Sequence, residues 1–185
     1  MENKLDKLNL GSGNEIKDGF INVDFKQDKG VDIVHDLNKH PWPFENNSFK
    51  EVVAENVIEH LDNFIQAMEE IYRVTKPNAS IKMSVPYWNS SFAYIDPTHK
   101  RGFHEHTFSF FDPESPYCKQ RSYYSKARFK VKSFSFVIAP FAPYFLLPFV
   151  KNIEIKNFIL KKIIGLLGNM FSNIILELRV ELQRV

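Results

Sequence analysis

Lys7-Leu8-Asn9-Leu10-Gly11-Ser12-Gly13-Asn14 decides the fold. A short apolar run stops at Gly-x-Gly close to the start of the chain. Such a run reads as a buried strand ending beneath a ligand, because residues without Cβ let the backbone turn sharply and approach it closely. The same tripeptide also occurs in ordinary tight turns, so the residues around it carry the distinction.

Outward from this turn, residues 5–10, 21–25, 31–35, 52–56 and 81–85 read as strands, apolar and β-branched in near-continuous runs. That pattern predicts a parallel sheet covered on both faces, in an α/β chain. Residues 63–74 have helical spacing, with Phe64, Ile65, Met68, Ile71, Tyr72 and Val74 on one broad face, Asp62 as N-cap and Pro77 as stop signal. Residues 129–138 alternate with one slip. Residues 174–182 alternate in their second half and read as a half-buried antiparallel strand near the sheet edge. Residues 87–128 are aromatic, histidine-rich and turn-rich, which predicts loops and short helices over the strand ends.

Two crossovers are short. Only residues 14–20 separate Gly13 from the second strand, room for a turn or two of helix at most. Residues 37–51 hold Pro41, Pro43 and the turn-like Glu45-Asn46-Asn47-Ser48.

Composition narrows the class. The chain has 185 residues, 44% apolar and 25% charged, which suits one domain with a sizeable core. A net charge of +2 gives no strong field for nucleic acid or membrane. The single cysteine, Cys118, excludes an internal disulfide and a cysteine metal cluster, and the expected setting is reducing and cytoplasmic. Residues 1–9 contain no apolar stretch of signal-peptide length.

The turn is unsuited to polyphosphate. A dinucleotide fingerprint needs a third glycine at a helix start, where this chain has Ile16 and almost no helix. No Gly-Lys-Ser/Thr follows for a phosphate loop. What remains is a nucleoside without phosphate. Asp24 ends the second strand, where an ionised carboxylate can accept both hydroxyls of a ribose. Asp36 ends the third strand, one step further out, where an adenine amino group would lie, and Leu37 can pack on the ring. Two acids with no nearby cation also suit a positively charged ligand. Either acid alone reads as an ordinary strand-end cap; their order after Gly-x-Gly favours a binding site.

The ordered set LNLGSGN, INVD, VDIVHDLN, PWPFENNSFKEVVAENVIEHL and RVTKPNASIKMSVP resembles the class I S-adenosylmethionine-dependent methyltransferases, in the small-molecule-type branch with a shortened first crossover. The resemblance covers residues 5–86 and departs at Lys50 and at Asn78-Ala79. It implies a Rossmann-like three-layer sandwich with a mostly parallel seven-stranded sheet and an antiparallel last strand. It implies S-adenosyl-L-methionine as cofactor, held by Leu10, Gly11, Ser12, Gly13, Asp24, Phe25, Asp36, Leu37, Glu55, Asn56 and Val57. The chain divides into a cofactor-binding half (1–86), a substrate lid region (87–128) and C-terminal strands (129–185) carrying an apolar helical insertion at about 139–172. The expected activity is methyl transfer to a small-molecule or glycan-precursor acceptor. The rival readings are a non-catalytic nucleoside-binding module and a nicotinamide-dependent reductase.

Methyl transfer from a sulfonium is an in-line displacement with a neutral leaving group, so the enzyme mainly positions the acceptor, helped by a base if the acceptor is a hydroxyl or protonated amine. His60, after Glu59 at the end of the fourth strand, and His99, in the run Tyr94 to His106, are the candidate bases. Tyr87, Tyr94, Asp96, Arg101, His104 and His106 are candidate substrate contacts, with Arg101 as an anion anchor. The cluster contains metal-ligating residue types, but its spacings match no helix-based zinc motif and no metal is assigned.

Residues 134–150 carry no charge, and Pro140, Pro143 and Pro148 break any spanning helix. Residues 156–171 then pair Lys156, Lys161 and Lys162 with a wide apolar face. That face packs on its own domain or in a homodimer, or else it meets a membrane surface or a lipid-linked substrate.

Overall fold

The computed structural model describes residues 5–138 and 152–185. The apolar runs pair into one sheet. Its strands are β1 (Lys7–Leu10), β2 (Ile21–Asp24), β3 (Ile33–Val34), β4 (Phe49–Glu55), β5 (Thr75–Pro86), β6 (Phe129–Ile138), β7 (Ile153–Ile155) and β8 (Glu177–Arg184). They lie in the order β3-β2-β1-β4-β5-β8-β6-β7. β1 to β5 are joined by parallel pairings, β8 runs antiparallel between β5 and β6, and β7 is antiparallel to β6. The α/β, Rossmann-like class is present.

Among the described residues the sheet has eight strands rather than the expected seven. The additional one, β7, falls inside the stretch read as an apolar helical insertion; residues 139–151 of that stretch, with its three prolines, lie outside the described residues. β8 was expected near the edge but has neighbours on both sides. Its alternation of Glu177, Arg179 and Glu181 with Leu178, Val180 and Leu182 reports a solvated face, not a free edge. The slip in β6 is a register shift between Val131 and Ser133.

α1 (Phe64–Val74) buries Phe64, Ala67, Met68, Ile71 and Val74, the stripe its spacing predicts. Its N-cap is Asn63, not Asp62: the Asn63 side chain accepts the Gln66 N–H, a bond worth about 1 kcal/mol. The helix ends at Val74 and β5 begins at the next residue, so Pro77 lies within the strand and is not the stop. The Thr75 hydroxyl donates back to the Ile71 carbonyl at 2.7 Å. Phe64 meets Phe103, Phe108 and Phe111 edge-on, which ties the loop region to the same core. The remaining helices are α2 (Phe92–Ile95), α3 (Pro116–Gln120) and α4 (Phe158–Met170). No helix among the described residues is long and apolar enough to cross a membrane.

The two sheet faces differ in chemistry. Ile81, Met83 and Val85 share a register with Leu182, Val180 and Leu178 and lie in the core. Ser80, Lys82 and Ser84 share a register with Gln183, Glu181 and Arg179 on the other face. There Glu51 joins Lys7 at 3.0 Å to Lys82 at 2.9 Å, and Glu154 takes Lys156 and Arg179. α4 approaches Phe136 through Gly165, on the apolar side. The expectation of helices on both faces is therefore corrected for the described residues: over β1 and β2 the second face is covered by the short crossover, and elsewhere it is polar.

Candidate active site

A polar network replaces the missing helix. The Asn9 side chain donates to Glu15 O and Asn22 Oδ1, both at 2.9 Å, and Asn22 Oδ1 also accepts the Lys17 N–H. Asp32 Oδ2 accepts the Asn22 N–H at 2.7 Å. Lys17 pairs with Glu55 at 2.8 Å, so the crossover is fastened to the end of β4 as well. Asn9 and Asn22 are buried, and losing either partner would leave a buried amide unsatisfied. These asparagines were missed in the sequence; their mid-strand position among apolar residues was the available signal.

The network holds the glycine turn open. Gly11 and Gly13 have φ of +60° and +45°, where side chains with Cβ are strained. A Cβ on Gly11 would lie 2.3 Å from Val57 Cγ2, so this glycine lets the turn after β4 approach the turn after β1. A Cβ on Gly13 would meet no protein atom within 4 Å, so that side of the turn is a cradle. Asp24 Oδ2 accepts the Gly13 N–H at 2.8 Å, and Oδ1 accepts the Lys26 N–H at 3.1 Å. Each oxygen keeps a further lone pair for a ligand. The Ser12 hydroxyl is buried without a protein partner beside them.

The other expected cofactor residues fall around this turn with different exposures. Leu10 is buried under it. Phe25 is 76% exposed next to Asp24, a free aromatic platform. Asp36 Oδ1 accepts only the Asn38 N–H in its turn, at 3.0 Å. Leu37 lies in the core, and its carbonyl accepts the Trp42 indole N–H, so its side chain is not a free ring contact. Asn56 takes a positive φ of 49° at the end of β4, and its N–H donates to Ser84 O. A cavity of about 750 Å³ opens beside Gly11, Gly13, Glu55 and Asn56 and extends over the polar sheet face to Lys82 and Arg179.

Past Asn56 the chain makes one helical turn, Ile58–His60, and the loop after α2 docks on it. The Lys100 N–H donates to Glu59 O at 2.8 Å, and Arg101 Nη2 donates to Leu61 O and Asp62 O at 3.0 and 2.8 Å. His60 Nδ1 lies 2.9 Å from Thr98 Oγ1, whose hydroxyl donates to Asp96 Oδ1 at 2.6 Å. The two candidate bases are thereby brought together, with ring centroids 4.6 Å apart. Burial first, and then His99, push His60 below the ordinary imidazole range, toward its neutral form. The Thr98 hydrogen bonds hold Asp96 below the usual carboxylate range.

Glu59 is the residue the sequence reading passed over. It is 0% exposed, neither carboxylate oxygen has a hydrogen-bond partner, and burial pushes it up to about 7. A glutamate beside His60 carries no sequence signal of its own, because its burial depends on the tertiary fold. Oε1 lies 3.9 Å from His99 Nε2.

Two expected substrate contacts are corrected. Tyr87 is 0% exposed; burial pushes its hydroxyl well above the ordinary range, and that hydroxyl donates to Glu105. It is a core residue. Arg101 places Nη2 on two backbone carbonyls and fixes the loop, while its Nε is buried without a partner, so it is not the exposed anion anchor expected. Tyr94 is largely exposed, and the His104 and His106 rings lie tilted to each other with centroids 5.3 Å apart.

Comparison with known proteins places this geometry. Residues 12–82 match the methyltransferase-domain family. No curated protein matches the chain. A SAM-dependent methyltransferase of Archaeoglobus fulgidus superposes with a TM-score of 0.57 at 15% identity, covering 98% of this chain and 88% of that one. A SAM-dependent methyltransferase of Thermotoga maritima gives 0.59 at 12% identity, covering 97% and 82%. Geranyl diphosphate C-methyltransferase of Streptomyces coelicolor A3(2), solved with Mg2+, geranyl diphosphate and S-adenosyl-L-homocysteine, gives 0.55 at 11% identity, covering 97% and 73%. At these identities the superpositions show the fold.

Proposed function

We propose that this chain is a class I S-adenosylmethionine-dependent methyltransferase whose acceptor is a small molecule or glycan precursor, a reading supported by the methyltransferase-domain match over residues 12–82 and by the fold shared with solved methyltransferases. The observation that carries the reading is Asp24, which ends β2 and holds the Gly13 N–H at 2.8 Å while keeping lone pairs for a ribose diol. The Gly13 cradle and the buried, unpartnered Ser12 hydroxyl fit the same cofactor. When bound, S-adenosyl-L-methionine supplies an electrophilic methyl and a neutral leaving group.

The chain's own residues then have separate tasks. Asp24 and Asp36 hold the nucleoside, with Phe25 offered to the base. Gly11, Ser12, Gly13 and the segment Glu55 to Val57 hold the amino-acid end. The Glu59, His60 and His99 cluster receives the acceptor and activates it, since it lies just past the end of β4. Tyr94, Asp96, His104 and His106 frame the entry. Positioning reactants in line can supply several kcal/mol of the barrier, about 7–11 in the best cases. Cys118, free and buried, supports a reducing, cytoplasmic setting.

A second reading of the acceptor has its own support. On α4, Phe158, Ile159, Leu166 and Met170 are 63–66% exposed, an apolar face that suits a lipid-linked acceptor or a membrane surface. The lysines beside it are partly engaged: Lys161 donates to Phe134 O, and Lys156 pairs with Glu154. Apolar contact therefore outweighs charge in this reading.

The test is product analysis by mass spectrometry after incubation with S-adenosyl-L-methionine and a panel of soluble and lipid-linked hydroxyl, amine and carboxylate acceptors. Methylated product with equimolar S-adenosyl-L-homocysteine supports the reading. Cofactor binding without turnover on any small acceptor would favour the nucleoside-binding module.

A further inference from the structure

We propose that Glu59, His60 and His99 form a binding site for one divalent transition-metal ion. Each residue can offer one ligand atom such that all three atoms lie within 4.8 Å of one another. Ligands at about 2.0–2.2 Å on a tetrahedral ion sit roughly 3.4 Å apart. The three side chains therefore need to close by at most about 1.4 Å, within the reach of small χ adjustments.

The proton inventory assigns the ligand atoms. The Thr98 hydroxyl spends its proton on Asp96 Oδ1 at 2.6 Å. It therefore accepts from His60 Nδ1 at 2.9 Å, which makes Nδ1 the protonated nitrogen and leaves the lone pair on Nε2. An imidazole fixed by a carboxylate-backed hydrogen bond on its far nitrogen is the usual arrangement of a metal-bound histidine. His99 Nε2 is the nitrogen nearer Glu59, at 3.9 Å.

Glu59 supplies the independent observation. A fully buried carboxylate with neither oxygen hydrogen-bonded is costly unless something compensates it. Among the described residues no lysine or arginine pairs with Glu59: Arg101 places Nη2 on the Leu61 and Asp62 carbonyls, with its Nε buried and unpartnered, and Lys100 pairs with Asp62. A cation between Glu59 and the two imidazoles would satisfy it. Two imidazoles and one carboxylate suit zinc, cobalt, manganese or ferrous iron, with coordination positions left open.

The open side is visible. Glu59 and His99 line a cavity of about 180 Å³ with Asn56, Phe92 and Glu177. At about 30 Å³ per water, this holds several waters or the head group of a ligand. Asn56 also borders the larger cavity beside the glycine turn. If the methyl-transfer reading holds, the ion would take a hydroxyl, carboxylate or phosphate oxygen of the acceptor, and His60 and His99 would be ligands rather than bases. Metal binding itself does not depend on that reading.

The experiment is a Co2+ titration of the chelator-treated full chain, followed by visible d–d absorption, with Zn2+ as competitor. S-Adenosyl-L-homocysteine binding is measured separately on the same preparation, so failure of one is distinguishable from failure of the other. We expect one Co2+ per chain, displaced by Zn2+. Binding should weaken at least about tenfold in Glu59→Gln and in His99→Ala, and stay unchanged in His35→Ala, with circular dichroism confirming that each variant is folded. Should Glu59→Gln fail to fold, His99→Ala decides alone. Folded wild type that takes up no stoichiometric cobalt, or variants that bind it as wild type does, would overturn the proposal.

Discussion

The Asp24 carboxylate accepts the Gly13 N–H at 2.8 Å, so the acid at the end of β2 shapes the turn at the end of β1. One side chain thus orders the loop and, in the proposed function, also holds the cofactor's ribose. Asp24→Ala should lower S-adenosyl-L-homocysteine affinity at least tenfold, since a hydrogen bond to a charged group is worth about 1.5–3 kcal/mol. Calorimetry checks this. Asp24→Asn, which keeps an acceptor for Gly13, should retain more of the melting temperature than Asp24→Ala.

The two glycines should separate stability from binding. Gly11→Ala adds left-handed strain, about 1–3 kcal/mol, and a clash with Val57. Its thermal midpoint should fall clearly. Gly13→Ala carries left-handed strain too but meets no protein atom, so it should melt closer to wild type than Gly11→Ala does, yet bind S-adenosyl-L-homocysteine poorly. Equal melting losses for both would contradict the cradle.

Glu70 holds the second crossover. Its carboxylate pairs with Arg73 at 2.7 Å and accepts the Trp42 N–H at 2.7 Å. Burial pushes this carboxyl up, but Arg73 and Trp42 outweigh burial and hold it below the usual range. A depressed folded-state value gives stability that is present above the unfolded pKa and lost as pH falls through the folded one. Denaturant melts should show stability declining from the ordinary glutamate range downward, and Glu70→Gln should flatten that decline. Glu70→Ala should cost about 3 kcal/mol, the lower end for breaking a buried pair.

α4 should bind lipid through apolar contact. Co-sedimentation with phosphatidylcholine vesicles should exceed that of a Phe158→Ser/Met170→Ser variant and change little with salt. Absence of binding, with salt-independent self-association instead, would favour a second copy on that face.

The glycine turn and the place of Asp24 at the end of β2 were legible because backbone freedom and a carboxylate at a strand end are local properties. α1 was legible because its stripe is long and periodic. The polar second face was hidden: Lys82, Arg179 and Glu181 look like ordinary alternation until register puts them side by side. β7 was too short to stand out in an apolar stretch. Glu59 could not be singled out, since its burial depends on a loop forty residues later docking through Lys100 and Arg101. For the same reason Arg101 read as an anion anchor, and Tyr87 as a surface contact.

The most direct test is titration calorimetry of the wild-type chain with S-adenosyl-L-homocysteine and, separately, NADH. Binding of one S-adenosyl-L-homocysteine per chain, lost in Asp24→Ala, with no heat from NADH, is the predicted result. Binding of NADH at the glycine turn, with no response to the sulfur nucleoside, would contradict the account.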